Sequence, residues 1–281
     1  MYEMPRISKY AIKGAVVILT HENYFSKEAS KEYLSASQYK DFVGSVGMRG
    51  CEARALAKIN GEWEDEMTTA LLVGSYVDAH FEGTLDLFKA RYPDIFTKGG
   101  ELKANFKQAN EIISRIERDE YFMKCMSGQK QIIMTGEIFG ALWKCKIDSL
   151  ITDTCIVDLK VMASLTDSKW VKDHGYCSFV EFWGYDIQAA IYQDIVRQNI
   201  RKLLPFLIAA ASKEKVTDIE VIGFLQPNLR DVLSLIEPNI KRILDIKSGK
   251  IKPNRCGGCD YCKHTKVLSG PIHYSRLIQG I

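Results

Sequence analysis

The sequence contains no apolar run of about 18 residues, so it offers no candidate transmembrane helix. It also lacks an excess of charge of one sign. Lysine plus arginine number 38 against 35 aspartates plus glutamates, a formal net charge of +3. That balance neither demands nor excludes a nucleic-acid partner, and the argument must come from where the charges sit. Internal repeats and low-complexity stretches are missing too, which removes solenoid and linker-like readings. No export signal is visible at the start. The short apolar run at 15–19 leads into His21, Glu22 and Asn23 and carries no small-residue cleavage pattern. A cytoplasmic location is therefore expected, and the eight cysteines read as thiols or metal ligands rather than disulfides.

What is present is an ordinary globular composition over 281 residues, 46% hydrophobic and 26% charged. No linker divides the chain, so one α/β domain is expected. It would comprise an N-terminal arm and helix (1–64), a core (65–250) and a cysteine-bearing C-terminal appendage (251–281). Ser35-Ala36-Ser37 can cap a helix toward Val43, and Gly44, Gly47 and Gly50 interrupt the chain after it. A long helix is expected over 65–90, because Ala70, Val73, Val77 and Phe81 recur at helical steps. A second is expected over 102–118. From Gln131 the period changes to that of strands. Residues 131–139, 142–150 and 155–162 read as an antiparallel meander, joined by Gly140-Ala141 and Thr152-Asp153-Thr154. A helix over 183–198, buried strands over 206–211 and 219–225, and a helix over 228–247 kinked or split at Pro238 complete the reading.

The chemistry-bearing constellation is Gly136-Glu137, Lys146-Ile147-Asp148 and Val157-Asp158-Leu159-Lys160. Residues two apart on a strand share a face, so Asp158 and Lys160 project together while Val157, Leu159 and Val161 form the packed face. If the second and third strands pair, Asp148 joins them. Two converging carboxylates suit a hard divalent cation, and a lysine beside them can position a water or neutralise developing charge, as phosphodiester hydrolysis requires. An Asp-x-Lys pair alone is more often a solvated ion pair. Its neighbours change the balance. Gly74 to His80 lies on the long helix, and Gln188 and Tyr192 stand four apart on one face of a later helix.

In that order the motifs resemble the PD-(D/E)xK nuclease superfamily, and within it the RecE-like exonucleases of phages and prophages, relatives of the RecB nuclease domain. The resemblance runs over about 33–268. Val157 stands where the superfamily name has proline. The resemblance implies a restriction-endonuclease-like core: a central mixed sheet with an antiparallel meander, flanked by helices. It implies that His80, Asp148 and Asp158 bind Mg²⁺ or Mn²⁺ with the backbone carbonyl of Leu159. Lys160 would activate or position the water, and Gln188 and Tyr192 would support the site and the DNA. Glu137 is an added candidate ligand. The implied activity is a deoxyribonuclease acting as an exonuclease on double-stranded DNA ends. The implied partners are a single-strand annealing protein and further copies of the chain. Endonuclease, flap-cutting and catalytically silent DNA-binding readings are the alternatives. Lys144, Lys146, Lys169, Lys172 and Lys202 are available for phosphates, and Trp170 for base stacking.

Cys256-x-x-Cys259-x-x-Cys262 has ligand-like spacing, and Cys51 or His264 can supply a fourth ligand. Some RecB-like nucleases resemble this plan, with an early cysteine and a late trio holding an iron–sulfur cluster, though that trio is more widely spaced. Zinc is the rival metal, and free thiols in a Gly-rich turn are the third reading.

Overall fold

A computed structural model describes residues 17–274. The chain opens with three helices: α1 (Lys27–Glu32), α2 (Ala36–Val43) and α3 (Glu52–Asn60). Ser35 caps α2 by accepting from the Gln38 N–H at 3.2 Å. The third helix has no clear signal in the sequence, because three glycines precede it and its own apolar pattern is mostly alanine. Those alanines are buried at Ala53, Ala55 and Ala57.

The expected long helix is two, α4 (Thr69–Glu82) and α5 (Leu85–Arg91), divided at Gly83. Gly83 takes the left-handed conformation (φ 77) that ends α4, and its N–H returns to the carbonyls of Ala79 and His80. Helices α6 (Gln108–Glu117) and α7 (Glu120–Cys125) follow. The meander is present but interrupted: β1 (Ile132–Ile138) and β2 (Ala141–Ile147) form a hairpin, and β3 (Ser149–Ile151) restarts one residue later to pair with β4 (Cys155–Met162). Asp148 is the residue between β2 and β3.

After β4 come a small hairpin, β5 (Lys169–Val171) and β6 (Gly175–Cys177), and the helices α8 (Phe179–Trp183) and α9 (Tyr185–Ile200). The single helix expected over 183–198 begins instead at a break, Gly184 in the left-handed region (φ 63). Strands β7 (Phe206–Ser212) and β8 (Ile219–Gly223), then α10 (Gln226–Lys247) and α11 (Asp260–His264), complete the described chain. Helix α10 runs through Pro238 without dividing. Pro238 is exposed, so the carbonyl it leaves without an N–H faces water.

The four-stranded sheet has the order β3-β4-β7-β8, with β4 and β7 parallel and the outer pairs antiparallel. It is therefore a mixed sheet, and it is covered on both sides. One core joins Ile156, Ile208 and Ala210 to α2, α9 and α10 and encloses the hairpin through the fully buried Trp143. The other joins Val157, Leu159, Ala209 and Ala211 to α4, α6 and α7. The expectation that only the Val157 face packs is thus corrected: β4 is central and buried on both faces, as a parallel pair requires. This is the α/β plan with a central mixed sheet that the sequence suggested. Among the described residues no helix is long and apolar enough to cross a membrane.

Candidate active site

The carboxylates gather where the hairpin leaves the four-stranded sheet. Asp148 Oδ2 accepts from the Leu159 N–H at 2.9 Å, so the residue between β2 and β3 is tied to the middle of β4. Asp158, only 3% exposed, points to the α9 side. Its Oδ1 accepts from Gln188 Nε2 at 2.6 Å, and its Oδ2 pairs with the Lys160 ammonium. Lys160 also donates to the Leu159 carbonyl at 3.2 Å and stands 5.2 Å from the centre of the Tyr185 ring. Tyr192, four residues after Gln188, lies deeper, its ring edge-on to Phe206. Burial, then Tyr24, Cys145 and the two aspartates, hold its hydroxyl well above the usual range. The structure therefore brings together Asp148, Asp158, Leu159, Lys160 and Gln188, with Tyr192 beneath them.

His80 is not among them. Its Nε2 bonds Glu117 Oε1 at 2.8 Å, on a partly exposed surface between α4 and α6. Helical geometry gives the reason. Residues two apart point to nearly opposite sides, whereas Asp78 and Glu82, four apart, share one side. That side faces the site: Asp78, Phe81, Glu82, Met126, Asp148 and Leu159 line one hollow. Glu137 is also remote. It pairs with Leu142 near the turn of the hairpin, while Ile132 pairs with Ile147 at the Asp148 end. Five residues of strand, about 17 Å, separate the two ends. Its backbone instead exchanges hydrogen bonds with Gln198 on α9. Gly136 beside it admits that side chain, since a Cβ there would lie 2.8 Å from Gln198 Oε1.

Three residues at the site escape the sequence reading. Asp78 and Glu82 share the Gly74–His80 segment's helix, and the i, i+4 spacing of acids is the available signal. Gln131 has none. It is 7% exposed, adopts φ 55 just before β1, and donates to Glu82 Oε1 at 2.7 Å and Asp148 Oδ1 at 3.4 Å. Its Oε1 is buried without a partner. A non-glycine residue held at positive φ is uncommon and costs of order 1 kcal/mol.

The electrostatics describe a crowded acidic centre. Burial first, then Asp158, pushes Asp148 up to about 7. Burial and then Asp148 hold Asp78 well above the carboxylate range. Burial opposes the Lys160 charge, but Asp158 and Asp148 outweigh it and keep the ammonium well above its ordinary range. Lys40, on α2, is lowered to about 8 by burial and then by Lys160, and donates to the Trp183 carbonyl at 3.0 Å. The donor set of Asp78, Glu82, Asp148, Asp158 and the Leu159 carbonyl is all oxygen, with an unpartnered amide oxygen beside it. That set fits a hard divalent cation such as Mg²⁺ or Mn²⁺, which would relieve the repulsion that raises these acids.

The candidate phosphate contacts divide. Lys169, Lys172 and Trp170 belong to the β5–β6 hairpin, where Trp170 is 67% exposed. Lys202 is exposed but paired with Asp153 at 3.2 Å. Lys146 stands over the Phe25 ring at 5.2 Å. Lys144 is no surface cation. It is 3% exposed, donates to the Tyr24 carbonyl, and burial lowers it to about 8.

A second cluster lies elsewhere. Cys51, Cys256, Cys259 and Cys262 converge with all four sulfurs within 4.8 Å of one another. His264 stands outside the group, its ring 5.6 Å from that of Trp63.

Residues 35–265 match the family model of a PDDEXK-like domain of unknown function (DUF3799). No curated protein matches. A crystal structure from Eubacterium rectale, described as a "Putative exonuclease", superposes with a TM-score of 0.91 at 60% identity, over 94% of this chain and 100% of that one. The match spans α2 through α11 and every residue of the acidic centre, and the chain belongs to this PDDEXK-like family.

Proposed function

We propose that the protein is a divalent-metal-dependent deoxyribonuclease acting as an exonuclease on linear double-stranded DNA ends, of the RecE-like kind. The observation that carries this reading is the convergence of Asp148, Asp158 and Lys160 on the middle of β4, with Asp78 and Glu82 added from α4. Its likeness to the E. rectale "Putative exonuclease" supports the exonuclease mode.

Asp78, Glu82, Asp148, Asp158 and the Leu159 carbonyl would hold Mg²⁺ or Mn²⁺. When bound, such an ion polarises a phosphodiester and makes a coordinated water more acidic. The chain's own residues do the rest. Gln188 fixes the Asp158 carboxylate, leaving the other oxygen to Lys160. Lys160, kept protonated by its two aspartates, supplies a positive charge beside the scissile phosphate rather than a base. Tyr185 and Tyr192 line the site half-buried, the Tyr185 ring centre 5.2 Å from the Lys160 ammonium. The exposed β5–β6 hairpin offers Lys169 and Lys172 to phosphates and Trp170 to an unpaired base. A single-strand annealing protein and further copies of this chain are the partners this reading proposes.

The test is incubation with linear and with covalently closed circular duplex DNA, in Mg²⁺ or EDTA, beside Lys160→Ala. Loss of the linear DNA alone, in Mg²⁺ alone and only with the unaltered chain, is expected. Cutting of the circle would replace the exonuclease reading with an endonuclease one. A folded protein inert on all DNA would overturn both.

A further inference from the structure

We propose that the corner between α8 and α9 holds one strand of the DNA, unpaired, beside the acidic centre, with Lys40 as a phosphate contact lying between Lys160 and Lys169. The proposal rests on the nuclease reading and gives that reading a substrate path.

Helix α8 ends at Trp183 and α9 begins at Tyr185, with Gly184 left-handed between them. Ammonium groups and aromatic rings alternate around this corner. Lys160 Nζ stands 5.2 Å from the centre of the Tyr185 ring, and Lys40 Nζ stands 5.1 Å from the same centre. Lys169 Nζ stands 5.3 Å from the centre of the Phe182 ring. The three lysines come from β4, α2 and β5, so the fold and not the local sequence gathers them. Past Lys169, the rings of Trp170 and Tyr176 meet edge-on with centres 5.2 Å apart, and both are largely exposed. Cations set among aromatic faces suit a single strand, whose phosphates meet the ammoniums and whose bases can stack on the rings. A duplex keeps its bases stacked on one another and offers the rings nothing.

Lys40 is clamped in position. It donates to the Trp183 carbonyl at 3.0 Å. A Cβ at Gly184 would lie 3.0 Å from Lys40 Cδ, so the glycine that breaks the helix also makes room for the lysine stem. The loop after α2 is fastened to the same corner. The Phe182 carbonyl accepts from the Ser45 hydroxyl at 2.7 Å and from the Gly47 N–H at 3.1 Å. A Cβ at Gly47 would collide with the Phe182 ring.

The charge of Lys40 is nevertheless unmatched. Asp41 beside it is taken by Arg54 and Lys58. Asp158 is taken by Lys160 and Gln188. Asp186, the third acid near it, forms no ion pair with it. Burial and then Lys160 both oppose the ammonium. The bond to Trp183 uses one of three N–H groups. A half-buried cation with a fixed stem and no counter-charge is organised in advance for an anion, and a backbone phosphate held there would offset its repulsion from Lys160.

The test uses the full chain in Ca²⁺ and a labelled single strand of about 12 nucleotides, with binding followed over a series of salt concentrations. Lys40→Met should weaken binding about tenfold and lower the slope of log affinity against log salt by about 0.7, the contribution of one phosphate contact on a single strand. Lys40→Arg should keep the slope. Lys202→Gln, beyond the far end of the 16-residue α9 and so at least about 24 Å from Gly184, should change neither. A folded Lys40→Met with an unchanged slope overturns the proposal. So does a variant that only unfolds at lower temperature, because that is what a brace between α2 and the corner would give. Should Lys40→Met fail to fold, Lys169→Gln on the exposed hairpin carries the same expectation and the same refutation. Hydrolysis of linear duplex by the unaltered chain in Mg²⁺ is read in parallel. A chain that cuts DNA while its salt slope ignores Lys40 and Lys169 loses this path alone. A chain that binds the strand through Lys40 but cuts nothing keeps the path and loses the nuclease reading.

Discussion

At the scale of single residues, the proposed site takes Asp78 where the sequence offered His80. His80 is committed to Glu117, while Asp78 faces Asp148 across the hollow. Asp78→Asn is therefore expected to lower the rate of DNA hydrolysis by at least about a hundredfold, and His80→Ala by no more than about threefold. Steady-state rates on linear duplex in Mg²⁺ decide this, and equal losses in both would refute the assignment. Asp148 has a consequence for stability as well. Burial and Asp158 raise it to about 7 in the folded chain, against about 3.9 unfolded. Between those values the unfolded chain has released its proton and the folded chain has not. Stability from this group therefore falls as pH rises through the window. Asp148→Asn should add little to the unfolding temperature near pH 4 and should raise it above the unaltered protein near pH 7, in EDTA. Such a gain, accompanied by loss of activity, is the usual cost of a crowded catalytic centre.

Elements show why some of this was legible and some was not. The Asp-x-Lys strand could be read because period-two alternation is local, and β4 keeps it: Asp158 and Lys160 project together. Gln188 and Tyr192 could be placed together because helix spacing is local too. Which side of α4 faces the sheet was not legible, since α4 is apolar on most of its surface and its direction is set by packing on β4 and α6. The break at Asp148 was equally hidden. Nothing between Ile147 and Ser149 signals a turn, and the chain leaves the hairpin there because β3 pairs with β4. Gln131 lay outside any pattern, because its position depends on a left-handed backbone at a residue that is not glycine. Helix α9 carries a prediction of its own. Gln188 holds Asp158 by one hydrogen bond of 2.6 Å and touches no reacting atom in this reading. Gln188→Ala should lower kcat about tenfold to a hundredfold with little change in KM for DNA, and Gln188→Asn, too short to reach, should behave alike. A rise in KM at constant kcat would instead make Gln188 a DNA contact.

For the whole molecule, the acidic centre is the point where the two cores meet. Asp78 and Glu82 come from α4, which packs in one core; Asp158 points toward α9, which packs in the other; Asp148 leads out of the hairpin. A cation shared by these groups would therefore link units that otherwise meet across β4 and β7. The carboxylates repel one another without it, so binding favours the folded state alone. At about a hundred times its Kd such an ion adds about 2.7 kcal/mol. Mg²⁺ should accordingly raise the unfolding temperature of the unaltered chain and leave that of Asp148→Asn nearly unchanged. The protection should be distributed as the ligands are. Hydrogen exchange should slow in α4 and around Gln131 on adding Mg²⁺, and stay constant in the β5–β6 hairpin, which supplies no ligand. Slowing confined to the hairpin, or none in α4, would place the ion elsewhere and remove Asp78 and Glu82 from the site.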